Sequence, residues 1–125
     1  MATYNSFEEL DCWKKCRELR IWLDNYILKR AYSQDRDMYN NLSRAARSTT
    51  RNIAEGFGRF HYKENIQFCR ISRGSLFEIK DDLYTCMDRQ IGSQRDLKIG
   101  FKLLDIAIHS LNGYIRYLRT AKARN

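Results

Sequence analysis

Arginine is the residue type in this sequence best suited to bind a ligand, because its guanidinium group binds phosphate oxygens in a planar, bidentate geometry. Arg44, Arg47 and Arg51 follow one another at intervals of three and four residues. In an α-helix this spacing places the three side chains within roughly 60° of one another. The pattern therefore predicts a basic stripe that faces water, and phosphate binding is the chemistry such a stripe supports.

The stripe is part of a larger excess of positive charge. The chain has 23 lysine and arginine residues against 15 aspartate and glutamate residues, a net charge of +8 over 125 residues. A field of this sign attracts RNA and DNA equally, because phosphate contacts carry no sequence information. We predict that the phosphate contacts come from Arg44, Arg47, Arg51, Lys98, Lys102, Arg116, Arg119, Lys122 and Arg124.

Residues that could support catalysis or bind a metal are present but lack the required spacing. The cysteines and histidines are Cys12, Cys16, Cys69, Cys86, His61 and His109. No C-x-x-C pair occurs, and neither histidine has zinc-finger spacing. We expect buried free thiols, with Cys12 nearer the edge of its apolar face than the others, and no bound metal or cofactor.

Two enzymatic interpretations remain as alternatives. A carboxylate patch formed by Glu64, Glu78, Asp81 and Asp82 could hold a metal ion, although a solvated polar helix face is the simpler interpretation. His61, which lies among basic residues, could act as the acid or base of a small nuclease, but no spacing gives it a partner. Since P-loop, G-x-S-x-G and E-x-x-H patterns are also missing, we expect a protein that is not an enzyme.

The elements that must position these residues are helices. Apolar residues recur at intervals of three and four, proline is absent and glycine is sparse, a pattern typical of an all-α fold. The periodicity predicts helices over residues 6–30, 37–58, 62–90 and from 93 onward, with capping boxes at Ser6–Glu9 and Ser93–Asp96. We expect one domain over residues 1–125, an up-down-up-down four-helix bundle with a short basic tail at about 119–125. No apolar run of 18 residues and no secretory signal is visible, so we expect a cytoplasmic protein outside the membrane.

The third and fourth predicted helices carry more apolar surface than one bundle core needs. The stripe of the third is formed by Tyr62, Ile66, Phe68, Cys69, Leu76, Phe77, Ile79, Leu83, Tyr84, Cys86 and Met87. The fourth has a core stripe and, on another side, Ile99, Leu103, Ile106 and Tyr117. This surplus predicts a second contact surface, such as an interface between subunits.

Five sequence blocks together carry a family resemblance. They are residues 6–10 with Trp13, residues 44–48, residues 52–59, residues 73–76 with Glu78, and residues 111–116. The chain resembles, over nearly its whole length, the four-helix-bundle proteins found as open reading frames in intervening sequences of large-subunit ribosomal RNA genes. The block 52–59 is the most specific of these. Where the family often has proline in its second helix, this chain has Thr50, and we expect the fold to tolerate that difference.

The resemblance implies a homopentamer, with five bundles around a central channel. The same family shape is used by Avd, the accessory variability determinant of diversity-generating retroelements, a basic pentamer that binds a reverse transcriptase and its template RNA. The net charge of +8 favours such an accessory role, and an intervening-sequence protein with an unassigned RNA-binding or structural role is the alternative. The resemblance also implies structural roles for Asn52, Glu55, Gly56, Gly58, Arg59, Arg73, Gly74, Ser75 and Glu78. Arg59 and Arg73 could instead bind phosphate, because a ligand site and an ion-pair network are both compatible with their spacing.

Overall fold

The computed structural model describes residues 4–124, which form helices and short connections without any β-strand. A 3-10 turn at Phe7–Glu9 precedes α1 (Asp11–Tyr26), α2 (Leu28–Gln34), α3 (Arg36–Gly58), α4 (Tyr62–Asp88) and α5 (Gln94–Arg124). The all-α class is confirmed, and the chain has five α-helices where four were expected. The predicted tail at 119–125 continues α5 as far as Arg124, and Asn125 lies outside the described residues. Within residues 4–124, no helix combines the length and the apolar character needed to cross a bilayer.

The additional helix arises because the first predicted helix bends at Ile27. The backbone of Ile27 has φ −118° and ψ −46°, which interrupts regular helix between α1 and α2. Hydrogen bonds still pass through the bend, from the Ile27 N–H to the Leu23 carbonyl and from the Ala31 N–H to the Ile27 carbonyl. Neither glycine nor proline marks this position, and so the sequence pattern held no signal for the bend.

The predicted capping box at Ser6 is wrong. The Ser6 side chain makes no capping hydrogen bond, and α1 begins only after Leu10, whose backbone is extended. The Glu9 carboxylate accepts a hydrogen bond from the Asn5 N–H at 3.2 Å instead of reaching Ser6. Of the second predicted capping box, the serine half is confirmed, because the Ser93 hydroxyl oxygen accepts a hydrogen bond from the Asp96 N–H at 3.0 Å.

Asp35 begins α3 with a cap that the sequence analysis missed. One carboxylate oxygen of Asp35 accepts a hydrogen bond from the Met38 N–H at 3.1 Å. The other accepts from the Arg89 guanidinium at 2.7 Å, which joins the start of α3 to the end of α4. The backbone hydrogen bond and then the arginine lower the pKa of Asp35 below its ordinary value.

The helices pack in a ring in which α1, α3, α4 and α5 follow one another, with α2 against α1 and α3. In this ring α3 contacts α1 and α4, and α5 contacts the same two helices from the other side. Within residues 4–124, the backbones of α3 and α5 do not approach each other, so the two helices lie diagonally opposite across the core. The outward faces of α3 and α5 therefore point in opposite directions.

The contact between α3 and α4 is built from small and polar side chains. Ser48 and Ser75 share a hydrogen bond of 2.7 Å between their hydroxyl groups. Ser72 donates to the Thr49 carbonyl at 2.8 Å, and Asn52 donates to the Ser48 carbonyl at 2.8 Å. Each buried polar group gains a partner, so these residues let two helices approach closely without an unpaired donor or acceptor.

Thr50 has a specific role at the position where the family resemblance predicts proline. Its side chain is buried, and its hydroxyl accepts a hydrogen bond of 2.7 Å from the Arg20 guanidinium of α1. Helix α3 runs through this residue without interruption, and the fold accommodates the difference as expected.

The four thiols lie in the core. Cys16, Cys69 and Cys86 are fully buried, and Cys12, which was expected nearer the edge of its apolar face, is 2% exposed and therefore buried as well. Burial raises the pKa of Cys16, Cys69 and Cys86 from 9.0 to about 12. These thiols stay protonated and inaccessible at neutral pH, the state least reactive toward electrophiles.

We expect native thiol titration with a disulfide reagent to be slow and incomplete at pH 8, and complete in denaturant. Because the thiols of the unfolded chain ionise near their ordinary pKa while the folded ones stay neutral, the free energy of unfolding should fall as the pH rises from 9 toward 12. Rapid modification of all four native thiols, or stoichiometric zinc in metal analysis, would contradict the structural role.

Candidate nucleic-acid interface

A groove between the N-terminal part of α4 and the C-terminal part of α5 concentrates basic side chains. It is open to solvent, has a volume of about 450 Å³, and is lined by Lys63, Ile66, Gln67, Arg70, Arg119, Lys122 and Ala123. We call it the basic groove. The two helices are antiparallel, so the start of α4 meets the end of α5 and lysine and arginine from distant parts of the chain converge there.

The charges of the basic groove are not neutralised. None of its four cationic side chains lies within 4.0 Å of a carboxylate among residues 4–124. The adjacent acid in the sequence, Glu64, faces Arg59 at 3.8 Å instead. Lys63 also lies in the first turn of α4, where the helix dipole disfavours a positive charge. Helix stability therefore does not account for a lysine at position 63.

The structure separates the nine predicted phosphate contacts into groups. Arg119 and Lys122 line the basic groove, while Arg116 and Arg124 are exposed one turn before it and in the last turn of α5. Lys98 and Lys102 are exposed near the other end of α5. At 1.5 Å per residue, Lys98 lies roughly 36 Å along the helix from Lys122, so these two lysines belong to a different surface.

The predicted stripe of α3 lies on another face. Arg44, Arg47 and Arg51 are all exposed, in agreement with the sequence analysis. Arg44 pairs with Glu78 of α4 at 3.1 Å, whereas no described carboxylate lies within 4.0 Å of Arg47 or Arg51. The basic groove is lined by residues of α4 and α5, and none of the three stripe arginines lines it.

Sequence reasoning missed Lys63 and Arg70 as members of the interface. Their spacing of seven residues places them on one face of α4, and they belong to a segment rich in arginine and lysine. That spacing indicates a basic face on α4, but it does not show which helix packs beside that face. Only the packing of α5 against α4 shows that Lys63 and Arg70 meet Arg119 and Lys122.

The two arginines with alternative roles, Arg59 and Arg73, are held by protein contacts. Arg59 lies 3.3 Å from Glu55 and 3.8 Å from Glu64, and its guanidinium lies 5.2 Å from the centre of the Phe68 ring. Arg73 donates a hydrogen bond of 2.8 Å to the Asn112 side chain, which joins α4 to α5. These contacts match the structural network rather than a ligand site.

The three motif glycines lie in different surroundings, Gly56 at a close helix contact and Gly58 and Gly74 beside open space. A Cβ on Gly56 would lie 2.7 Å from Asn65 Oδ1 and 2.9 Å from Phe68 Cβ, so glycine permits the close approach of α3 and α4. A Cβ on Gly58 or Gly74 would meet no described atom within 4 Å. Gly58 is the last residue of α3, while Gly74 is exposed in the middle of α4.

The residues with possible catalytic roles do not form a metal site. Among residues 4–124, no group of three or more histidine, cysteine, aspartate or glutamate side chains is arranged to hold a metal ion. Within the carboxylate patch, Glu64 and Glu78 pair with arginines. Partial burial, and then the charges of Asp81 and Glu78, raise the pKa of Asp82. His61 is exposed in the α3–α4 connection.

A family model described as 23S rRNA-intervening sequence protein matches residues 8–113, a span that includes α1 to α4 and most of α5. The motif blocks from residue 44 to Glu78 lie inside this span. No curated protein matches the chain.

Proposed function

The chain belongs to the 23S rRNA-intervening sequence protein family, and from this premise we propose that it is a non-enzymatic scaffold that binds nucleic acid through the basic groove. The observation that carries the proposal is the convergence of Lys63, Arg70, Arg119 and Lys122 in one groove without a carboxylate partner. Four cations held at this density attract a phosphate backbone and release its counterions on binding.

The test of this proposal is the salt dependence of RNA binding. With a fluorescein-labelled single-stranded RNA of twenty nucleotides, anisotropy titrations between 50 and 300 mM salt should give a logarithmic slope near −3, about −0.7 for each of four cations. The contribution of the groove should depend weakly on sequence, because phosphate contacts do not read bases. An absence of binding at 50 mM salt, or a slope near zero, would disprove phosphate binding by the groove.

In its most specific form, the proposal is an Avd-like accessory subunit that binds a reverse transcriptase and its template RNA in a diversity-generating retroelement. The net charge of +8 supports this form. The alternative is an intervening-sequence protein with an RNA-binding or structural role and no polymerase partner. A reverse transcriptase gene and a template repeat beside the coding sequence would favour the accessory role, and co-purification of the two proteins would test it directly.

We also propose that the chain assembles into a homopentameric barrel. Large apolar side chains are between 40% and 51% exposed on the outer faces of α4 and α5, namely Ile71, Phe77, Tyr84, Met87, Ile99 and Ile106. Gly74 lies among them in mid-helix with open space around it. A glycine there costs about 1 kcal/mol of helix stability relative to alanine, and close approach of a second subunit would account for its presence.

Light scattering of the purified protein should give about five times the chain mass of 15.0 kDa. Gly74→Gln should lower that mass while helical circular dichroism is kept or increased, because glutamine favours helix but is too large for a close subunit contact. A monomeric wild-type protein at micromolar concentration would refute the assembly. An unchanged oligomer in Gly74→Gln would place the interface elsewhere.

A further inference from the structure

An aromatic cavity lies at the end of the bundle where α3 passes into α4. Its volume is about 150 Å³, and six of its lining residues are aromatic: Tyr4, Phe57, Phe60, Tyr62, Tyr114 and Tyr117. We call it the aromatic pocket. A cavity of this size accommodates one benzene-sized ring. Flat aromatic walls around that volume suit a planar heterocycle better than a flexible aliphatic group.

Phe60 lies at the aromatic pocket with an exposed ring and an unfavourable backbone conformation. Its side chain is 86% exposed, the highest fraction of any large apolar residue described. Its backbone has φ +60°, in the left-handed region that a bulky residue rarely adopts. Glycine would end α3 here without strain and without exposing a ring. A strained and exposed aromatic side chain at a cavity points to a contact with something outside the chain.

The pocket also contains a hydroxyl group, that of Tyr114, which can form a hydrogen bond with the edge of a nucleobase. The Tyr114 hydroxyl accepts a hydrogen bond of 3.1 Å from the side chain of Asn65, which is 8% exposed. Among residues 4–124 no acceptor takes the hydroxyl's own proton, so it can be donated to a ligand carbonyl. Burial raises the pKa of Tyr114 above its ordinary value, and so that proton is retained across the physiological range.

The aromatic pocket and the basic groove are neighbours. Tyr62 of the pocket adjoins Lys63 of the groove in α4, and Leu118 of the pocket adjoins Arg119 of the groove in α5. A nucleotide whose base occupied the pocket would therefore have its flanking phosphates beside the groove cations. Proteins commonly bind single-stranded nucleic acids with aromatic side chains that stack on the bases, next to a positively charged groove that binds the backbone.

We infer that the aromatic pocket binds one unpaired pyrimidine base, which makes single-stranded RNA or DNA the preferred ligand over a duplex. The inference rests on the proposed nucleic-acid binding and specifies the class of ligand. An unpaired base reaches the pocket freely, whereas a paired base must first leave its stack at an energetic cost. The Tyr114 hydroxyl donates to a carbonyl of the pyrimidine, and Phe60 covers the ring.

The test uses Phe60→Gly, a variant that removes the ring and relieves the left-handed strain. Its thermal stability should equal or exceed that of the wild type, so lost binding could not be ascribed to misfolding. Affinity for a twelve-nucleotide oligouridylate should fall about tenfold, the loss expected for one stacked base. Tyr114→Phe, which keeps the ring and removes the donor, should weaken the same interaction to a smaller extent.

The matched control is Tyr32→Ala, which removes a half-exposed ring of α2, near the start of α3 and away from the pocket at its end, and should leave affinity unchanged. A twelve-base-pair RNA duplex should bind the wild type and Phe60→Gly equally. The salt slopes of the pocket variants Phe60→Gly and Tyr114→Phe should match that of the wild type. If oligouridylate binds Phe60→Gly and the wild type equally, the pocket inference is overturned while the groove proposal stands. If the wild type binds neither RNA at 50 mM salt, the proposed function itself fails.

Discussion

Replacing Lys63, Arg70 and Lys122 together by glutamine should weaken single-stranded RNA binding about 100-fold at 100 mM salt. Each phosphate contact with a single strand contributes about 0.7 to the salt slope, and so the loss of three contacts should flatten the slope by about two. All three side chains are exposed and none pairs with a described carboxylate. Helical circular dichroism and oligomer mass should therefore stay unchanged. Anisotropy titrations at two salt concentrations measure both the affinity and the slope.

The matched control removes the same charge from the diagonally opposite helix. Arg44→Gln, Arg47→Gln and Arg51→Gln combined should change affinity by less than about threefold, since only long-range attraction is lost and salt screens it. Loss of the Arg44–Glu78 pair should have little effect on stability, because both side chains are more than half exposed. If instead the α3 variant loses affinity and the groove variant does not, the sequence-based stripe is the binding surface. If the α3 variant changes the oligomer mass, the stripe lies in a subunit interface.

The fold class was predictable because hydrophobic periodicity is a local property. The ranges 37–58 and 62–90 lie within two residues of α3 and α4, and the Ser93 cap was found from two side chains. The bend at Ile27 was not predictable, because no glycine or proline marks it and Ile27 is a buried residue that fits the apolar pattern of a continuous helix. Asp35 was missed for a related reason, since its second partner, Arg89, is distant in sequence.

The candidate interface was only partly predictable, because basic residues can be counted from the sequence, whereas the packing of one helix face against another cannot be deduced from it. Arg119 and Lys122 were identified from composition near the end of the chain. Their partners Lys63 and Arg70 needed the antiparallel contact between α4 and α5. The same limit applies to the α3 stripe, whose exposure follows from helical spacing, whereas its separation from α5 follows only from the ring order of the helices.

Gly56→Ala should lower the free energy of unfolding by about 1–3 kcal/mol, the usual cost of overpacking a close contact. The new methyl group would lie 2.7 Å from Asn65 Oδ1 and 3.1 Å from the Asn65 backbone oxygen. Backbone atoms of α4 cannot rotate away as a side chain can, so α3 and α4 must separate. The hydrogen bond from Ser72 to the Thr49 carbonyl lies on the same helix contact and should lengthen with it.

Gly58→Ala is the control two residues later in the same helix. Its Cβ would meet no described atom within 4 Å, and alanine is the better helix former, so stability should stay unchanged or rise by up to about 1 kcal/mol. Urea denaturation of both variants at one protein concentration measures the difference, because subunit association would otherwise shift the midpoints. Equal stability of Gly56→Ala and Gly58→Ala would show that α3 and α4 tolerate separation and that the close approach at Gly56 is not needed for the fold. Because Asn65 also holds the Tyr114 hydroxyl, Gly56→Ala should weaken oligouridylate binding as well, whereas Gly58→Ala should not.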